Sequence, residues 1–103
     1  MFTVIQTPSF LRSMASVWSE GEMVEFIDFV SANPSAGDVI PGTQSLRKVR
    51  WSRSGMGKRG GVRVIYFQRL KSGEVVLLIG YVKAKFDTLP IDFLNRLKET
   101  YDV

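Results

Sequence analysis

The sequence predicts an α+β fold: a twisted, mainly antiparallel four-stranded sheet with an N-terminal helical hairpin and a C-terminal helix, in the order β-α-α-β-β-β-α. Three observations predict it. Apolar residues recur at helical spacing near both ends of the chain. Three β-rich runs follow one another in its middle, separated by glycine-containing turns. Proline and capping residues punctuate the boundaries between these runs.

Phe2–Gln6 reads as a short strand. Thr7 then suits an N-cap and Pro8 the first helical position. Leu11, Ala15, Met14 and Trp18 follow as a helical face. Ser19 and Glu22 form a capping-box pattern, in which the hydroxyl and the carboxylate each satisfy the other residue's amide. That pattern starts a second helix with Met23, Phe26, Ile27 and Val30 on its apolar face. Asn33-Pro34 ends it, because the residue before proline avoids helical geometry.

Ser35–Ser45 reads as a loop. Leu46–Arg53, Val62–Leu70 and Glu74–Lys83 are the expected second to fourth strands. Lys71-Ser72-Gly73 fits a three-residue hairpin loop with Gly73 in the left-handed region. That loop length sets Arg63 opposite Tyr81 and places Arg63, Tyr81 and Lys83 on one face; a shift of one residue would send Lys83 to the other. Asp87–Pro90 opens the last helix, whose expected face is Ile91, Leu94, Leu97, Lys98 and Tyr101. Trp18 and Trp51 are expected in the core.

Composition narrows the chemistry. The chain has 103 residues, 45% of them hydrophobic, which suits one domain over 1–103 with an ordinary core. It has no cysteine and no histidine. Thiolate chemistry, a Ser-His-Asp triad and a histidine-dependent nuclease are therefore excluded. Asp38, Asp87 and Asp92 are too scattered for a metal cluster, and no cofactor or metal is expected. The longest apolar run, Val75–Ile79, is too short for a bilayer, and the N-terminus lacks the pattern of a signal peptide. A cytoplasmic protein without a membrane partner is the expectation.

Charge is distributed unevenly. Residues 39–71 hold nine Lys or Arg and no Asp or Glu, whereas residues 1–38 hold one basic and five acidic residues. A basic middle third of this kind suits a polyanionic partner. Within it, Ser54–Gly61 is a glycine-rich basic loop carrying Lys58 and Arg59. It is not a phosphate-binding Walker loop, because the spacing is too short and a strand follows. It reads either as a solvated hairpin loop or as a basic arm on nucleic-acid phosphates. Arg63 opens an otherwise apolar strand, so it pairs with a distant acid or contacts an anion. Lys83 and Lys85 stand where the last strand ends and read as a solvated edge or as part of that cationic region. Tyr66 and Tyr81 are core or rim aromatics, each able to stack a base or orient a phosphate.

Several blocks together resemble one family. Ser31–Pro34, Gly37-Asp38-Val39-Ile40-Pro41-Gly42, Leu46–Trp51 and Gly57–Tyr66 look like the RelE/HigB superfamily of bacterial toxins from type II toxin–antitoxin systems, and in particular its HigB-like branch. The likeness spans nearly the whole chain. It implies a RelE-like fold and a ribosome-dependent, metal-independent endoribonuclease (an mRNA interferase) that inhibits translation. In such an enzyme the ribose 2′-hydroxyl attacks the adjacent phosphate of mRNA. It also implies a cognate antitoxin, of helix-turn-helix type, that neutralises the toxin, with DNA met only through the toxin–antitoxin complex.

By position, Arg63 matches the arginine that stabilises the phosphorane-like transition state, a role commonly worth about 3–4 kcal/mol. Lys83 matches the family's first strand-end lysine, an acid/base or electrostatic candidate, and Tyr81 matches a residue that orients substrate. Arg47, Lys48, Arg50, Lys58, Arg59, Tyr66 and Lys85 are the candidate RNA contacts. One departure stands out: Phe86 occupies the family's second lysine position, and Lys85 lies one place earlier. A second reading follows from it, a catalytically weakened or inactive homologue that acts as an antitoxin- or RNA-binding module or as a co-repressor.

Overall fold

A computed structural model describes residues 1–51, 61–82 and 89–102. Eight elements follow in order: β1 (Thr3–Gln6), α1 (Pro8–Met14), α2 (Glu20–Ala32), β2 (Asp38–Val39), β3 (Arg47–Trp51), β4 (Val62–Arg69), β5 (Glu74–Val82) and α3 (Ile91–Tyr101). The strands form one sheet in the order β1-β5-β4-β3-β2. β1 runs parallel to β5, and the other neighbours are antiparallel. The sheet has five strands rather than the expected four. Asp38 and Val39, inside the expected loop, pair with Lys48 and Arg47 to form a short edge.

The helix starts follow their caps. The Phe10 amide donates to the Thr7 hydroxyl, and Ser19 and Glu22 make the full capping box. α2 ends at Asn33, ahead of Pro34. The face of α1 differs from expectation: Leu11 is 49% exposed, whereas Phe10 and Met14 are buried. Seven residues make only about two turns, so the approach of β5, not a long periodic stripe, selects the buried side.

Both faces of the sheet are covered. Phe10, Met14, Phe26 and Val30 of α1 and α2 pack on Val49, Val62, Val64, Tyr66, Val75 and Leu77. Trp18 and Trp51 are half-buried against this core, as an aromatic chain running Phe10–Trp18–Phe26–Trp51. On the other face Leu94 of α3 packs with Leu46, Ile65, Phe67, Val76, Leu78 and Tyr81. Phe93 joins that side, while Ile91 at the start of α3 stays exposed.

Arg63 does lie opposite Tyr81, but the hairpin reaches that register by another route. Arg69 pairs with Glu74, which leaves a four-residue connection, Leu70–Gly73, with Gly73 at φ 66°. The pairing then shifts between Ile65↔Ile79 and Tyr66↔Leu77, so Leu78 is an extra residue on β5. This β-bulge restores the register that a three-residue loop would have given. It also reverses the alternation of side chains along β5. Leu78 and Ile79 both join the α3-side core, Gly80 turns to Met14 of α1, and Tyr81 reaches the α3 face.

Candidate functional site

Three side chains cross the sheet in one row. Arg50 of β3 lies opposite Arg63 of β4, and Arg63 lies opposite Tyr81 of β5. Strand alternation places all three, with Lys48, on the α3 face. Arg50 is exposed, whereas Arg63 and Tyr81 are only 7% and 5% exposed. Like charges directly opposite each other destabilise a sheet. Here nothing acidic offsets them: among the described residues no carboxylate forms an ion pair with Arg50 or Arg63.

Arg69 supplies a contrast within the same strand. It shares the face of Arg63, six residues on. Its guanidinium meets Glu74 at 3.3 Å and Asp102 at 3.5 Å and donates to the Tyr101 carbonyl at 2.7 Å. One arginine is therefore consumed by structure, and the other is held buried beside a second cation. Burial and the neighbouring Arg50 push the Arg63 guanidinium below the usual arginine value, and Tyr81 partly offsets this. Burial raises the Tyr81 phenol, although Arg63 opposes the shift. Tyr81 is thus protonated at neutral pH and can donate a hydrogen bond, but it is not a base.

Hydroxyls of α1 hold the bulge that aims Tyr81. β1 pairs with β5 only as far as Gln6↔Leu77. Beyond that point the Thr7 amide makes one last backbone bond, to the Leu77 carbonyl at 3.2 Å, and side chains then add to and continue the ladder. The Thr7 hydroxyl donates to the Leu77 carbonyl at 2.7 Å, and the Ser9 hydroxyl donates to the Leu78 carbonyl at 2.6 Å. The Gly80 amide donates to Ser13 Oγ at 3.0 Å. Backbone groups that a bulge would leave unmatched are thereby satisfied. The sequence signalled Thr7 only as a cap. Nothing local marks Ser9 and Ser13, because their partners lie 69 and 67 residues away.

The row opens beside a cleft of about 520 Å³ on the same face. Lys48, Ile65 and Tyr81 form its floor, Ile40 and Pro41 one wall, and Pro90 and Ile91 part of the other.

Two expected RNA contacts are corrected. Tyr66 is fully buried; its hydroxyl donates to the Pro34 carbonyl and accepts from the Gly37 amide, each at 2.9 Å. It pins the end of α2 to the start of β2 and is closed to a ligand. Arg47 lies on the α1/α2 side, where its guanidinium donates to Gly37 O at 2.6 Å and to Gln68 Oε1 at 3.2 Å. That is a structural clamp on the sheet edge. Lys58, Arg59, Lys83 and Lys85 lie outside the described residues, as does Phe86. Among the described residues no group of three Asp or Glu could hold a metal, and no helix is long and apolar enough to cross a membrane.

No protein-family model matches the chain. Among solved structures it is similar to an E. coli RelE toxin, a double arginine-to-alanine variant in the free state. The TM-score is 0.57 at 12% identity, over 95% of this chain and 96% of that one. The fold is RelE-like. The agreement covers both chains almost end to end, so it extends to the helical hairpin, the sheet and the C-terminal helix together.

Proposed function

We propose that this chain is the toxin of a type II toxin–antitoxin pair, of the HigB-like kind, and acts as an endoribonuclease on mRNA at the ribosome. One observation carries the reading: two facing arginines, one of them buried, have no carboxylate partner among the described residues. An RNA phosphate supplies the missing counter-charge. The RelE-like fold supports the same reading.

The chemistry needs a phosphate held while the ribose 2′-oxygen attacks phosphorus. The P–O5′ bond breaks, leaving a 2′,3′-cyclic phosphate and a free 5′-hydroxyl. Charge grows on the non-bridging oxygens in the transition state. Arg63, already desolvated, is the donor suited to meet it, with Arg50 beside it. The raised Tyr81 phenol fits a role in orienting the phosphate. Lys83, placed by sequence alone, is the candidate for moving the 2′-hydroxyl proton, and Lys85 beside it is a candidate RNA contact. Arg50, Lys48, Lys58 and Arg59 bind the RNA backbone.

Primer extension on cellular mRNA after induction tests the reading. Wild type yields new 5′ ends within codons, and Arg63→Ala and Lys83→Ala yield few or none. Equal cleavage by Arg63→Ala would end the transition-state role. Phe86 in the family's second lysine position favours the alternative, a protein that binds antitoxin or RNA without cutting. In that case no new ends appear, yet RNA binding still weakens with salt at a slope of about −0.7 per phosphate.

A further inference from the structure

We propose that the cleft beside the arginine row is a nucleobase subsite, taking the base of the nucleotide whose phosphate Arg63 and Arg50 hold. The proposal rests on the RNA reading above and deepens it. Ile65 lies two residues from Arg63 on the same strand face, and Lys48 two from Arg50. The cleft floor is therefore about 7 Å from the arginine pair, comparable to the span from phosphate to base within one nucleotide. Tyr81 belongs to both sites, since it faces Arg63 and lines the cleft.

The walls are apolar and pre-formed. The Ile40 amide donates to the Leu46 carbonyl at 2.8 Å, closing the turn that presents Ile40 and Pro41. Inside that turn the Thr43 hydroxyl donates to the Ile40 carbonyl at 2.6 Å and accepts from the Leu46 amide at 3.2 Å. Gly42, at φ 83°, lies so close to Ile91 that an added Cβ would stand 3.0 Å from Ile91 Cδ1. The turn is thus seated against the first turn of α3 and encloses the cleft from both sides. A cleft of about 520 Å³ with apolar walls and a cationic rim is the size and chemistry that ligand sites share. Its apolar surface suits a planar base, and Lys48 on its floor, with Arg50 two residues further along β3, repels any cationic occupant. Among the described lining residues only Lys48 and Tyr81 carry polar side-chain groups. Binding therefore depends on the presence of a base more than on which base it is.

Methyl NMR titrations of the whole protein decide this, with 5′-AMP, ribose 5-phosphate, inorganic phosphate and adenosine as probes. The proposal expects 5′-AMP to bind at least about tenfold tighter than ribose 5-phosphate. It expects shifts at Ile40, Ile65 and Ile91. Ile91→Asn, at an exposed position, should reduce that advantage to threefold or less and leave ribose 5-phosphate binding unchanged. Arg63→Gln should weaken 5′-AMP to the level of adenosine. Equal binding of 5′-AMP and ribose 5-phosphate, without shifts at Ile40 and Ile65, overturns the base subsite and leaves the phosphate reading standing. Adenosine binding with no phosphate binding overturns the phosphate reading, and the nucleotide subsite with it. Silence from all four probes overturns both.

Discussion

Replacing Ser13 by alanine tests how the sheet aims Tyr81. Ser13 Oγ accepts from the buried Gly80 amide at 3.0 Å and donates to the Phe10 carbonyl at 2.9 Å. Phe10 O belongs to a helix, so losing the second bond is minor. Gly80 N–H is different, because it sits just past the bulge where β1 has already ended. A buried donor left unmet costs about 1–3 kcal/mol. For a chain of 103 residues that corresponds to a fall in Tm of about 5–15 °C. Thermal unfolding by circular dichroism reads it, and Ser13→Thr, which keeps the hydroxyl, should recover most of the loss. Amide exchange at Gly80 should quicken in Ser13→Ala by more than global destabilisation explains. A Tm within about 2 °C of wild type would refute the reasoning, since the bulge would then stand without its hydroxyl. Ser9→Ala alone should cost less, because Thr7 Oγ1 lies 3.4 Å from the same Leu78 carbonyl. Thr7→Ala with Ser9→Ala should therefore exceed the sum of the single losses.

Other outcomes follow from the same geometry. Arg63→Leu removes a buried cation that faces Arg50, so in denaturant titrations it should raise ligand-free stability, by up to about 2 kcal/mol, while abolishing RNA cleavage. A loss of stability would show that Arg63 has a structural partner. Tyr66→Phe deletes a hydroxyl that bonds both Pro34 and Gly37 and should cost about 1–3 kcal/mol with RNA affinity unchanged, measured by urea unfolding and filter binding. Burial raises the phenols of Tyr66 and Tyr81. The folded state therefore holds those protons more tightly than the unfolded chain. Their contribution is complete below pH about 10, the ordinary tyrosine value, and is lost as pH rises through the folded values. Unfolding midpoints in alkaline buffers should show that decline, and it should shrink in Tyr66→Phe.

The order of the elements other than the short β2, the caps at Thr7 and Ser19 and the stop at Asn33-Pro34 were legible because each rests on neighbours in sequence. So was the basic middle, which composition alone reveals. The absence of histidine and cysteine set the chemistry before any fold was known. What the sequence left open depended on partners far along the chain. Tyr66 and Arg47 carry the right chemistry for RNA, yet β4 and β3 turn them to the inner side, where Gly37 claims both. Arg69 and Arg63 look alike on one strand, but among the described residues only Arg69 meets acids, and one of these arrives from the C-terminal end. The register of Arg63 and Tyr81 came from a four-residue connection corrected by one extra residue, which no local pattern encodes. Local propensity fixes which elements form. Only packing across the sheet decides which charges are neutralised, and hence which remain for a ligand.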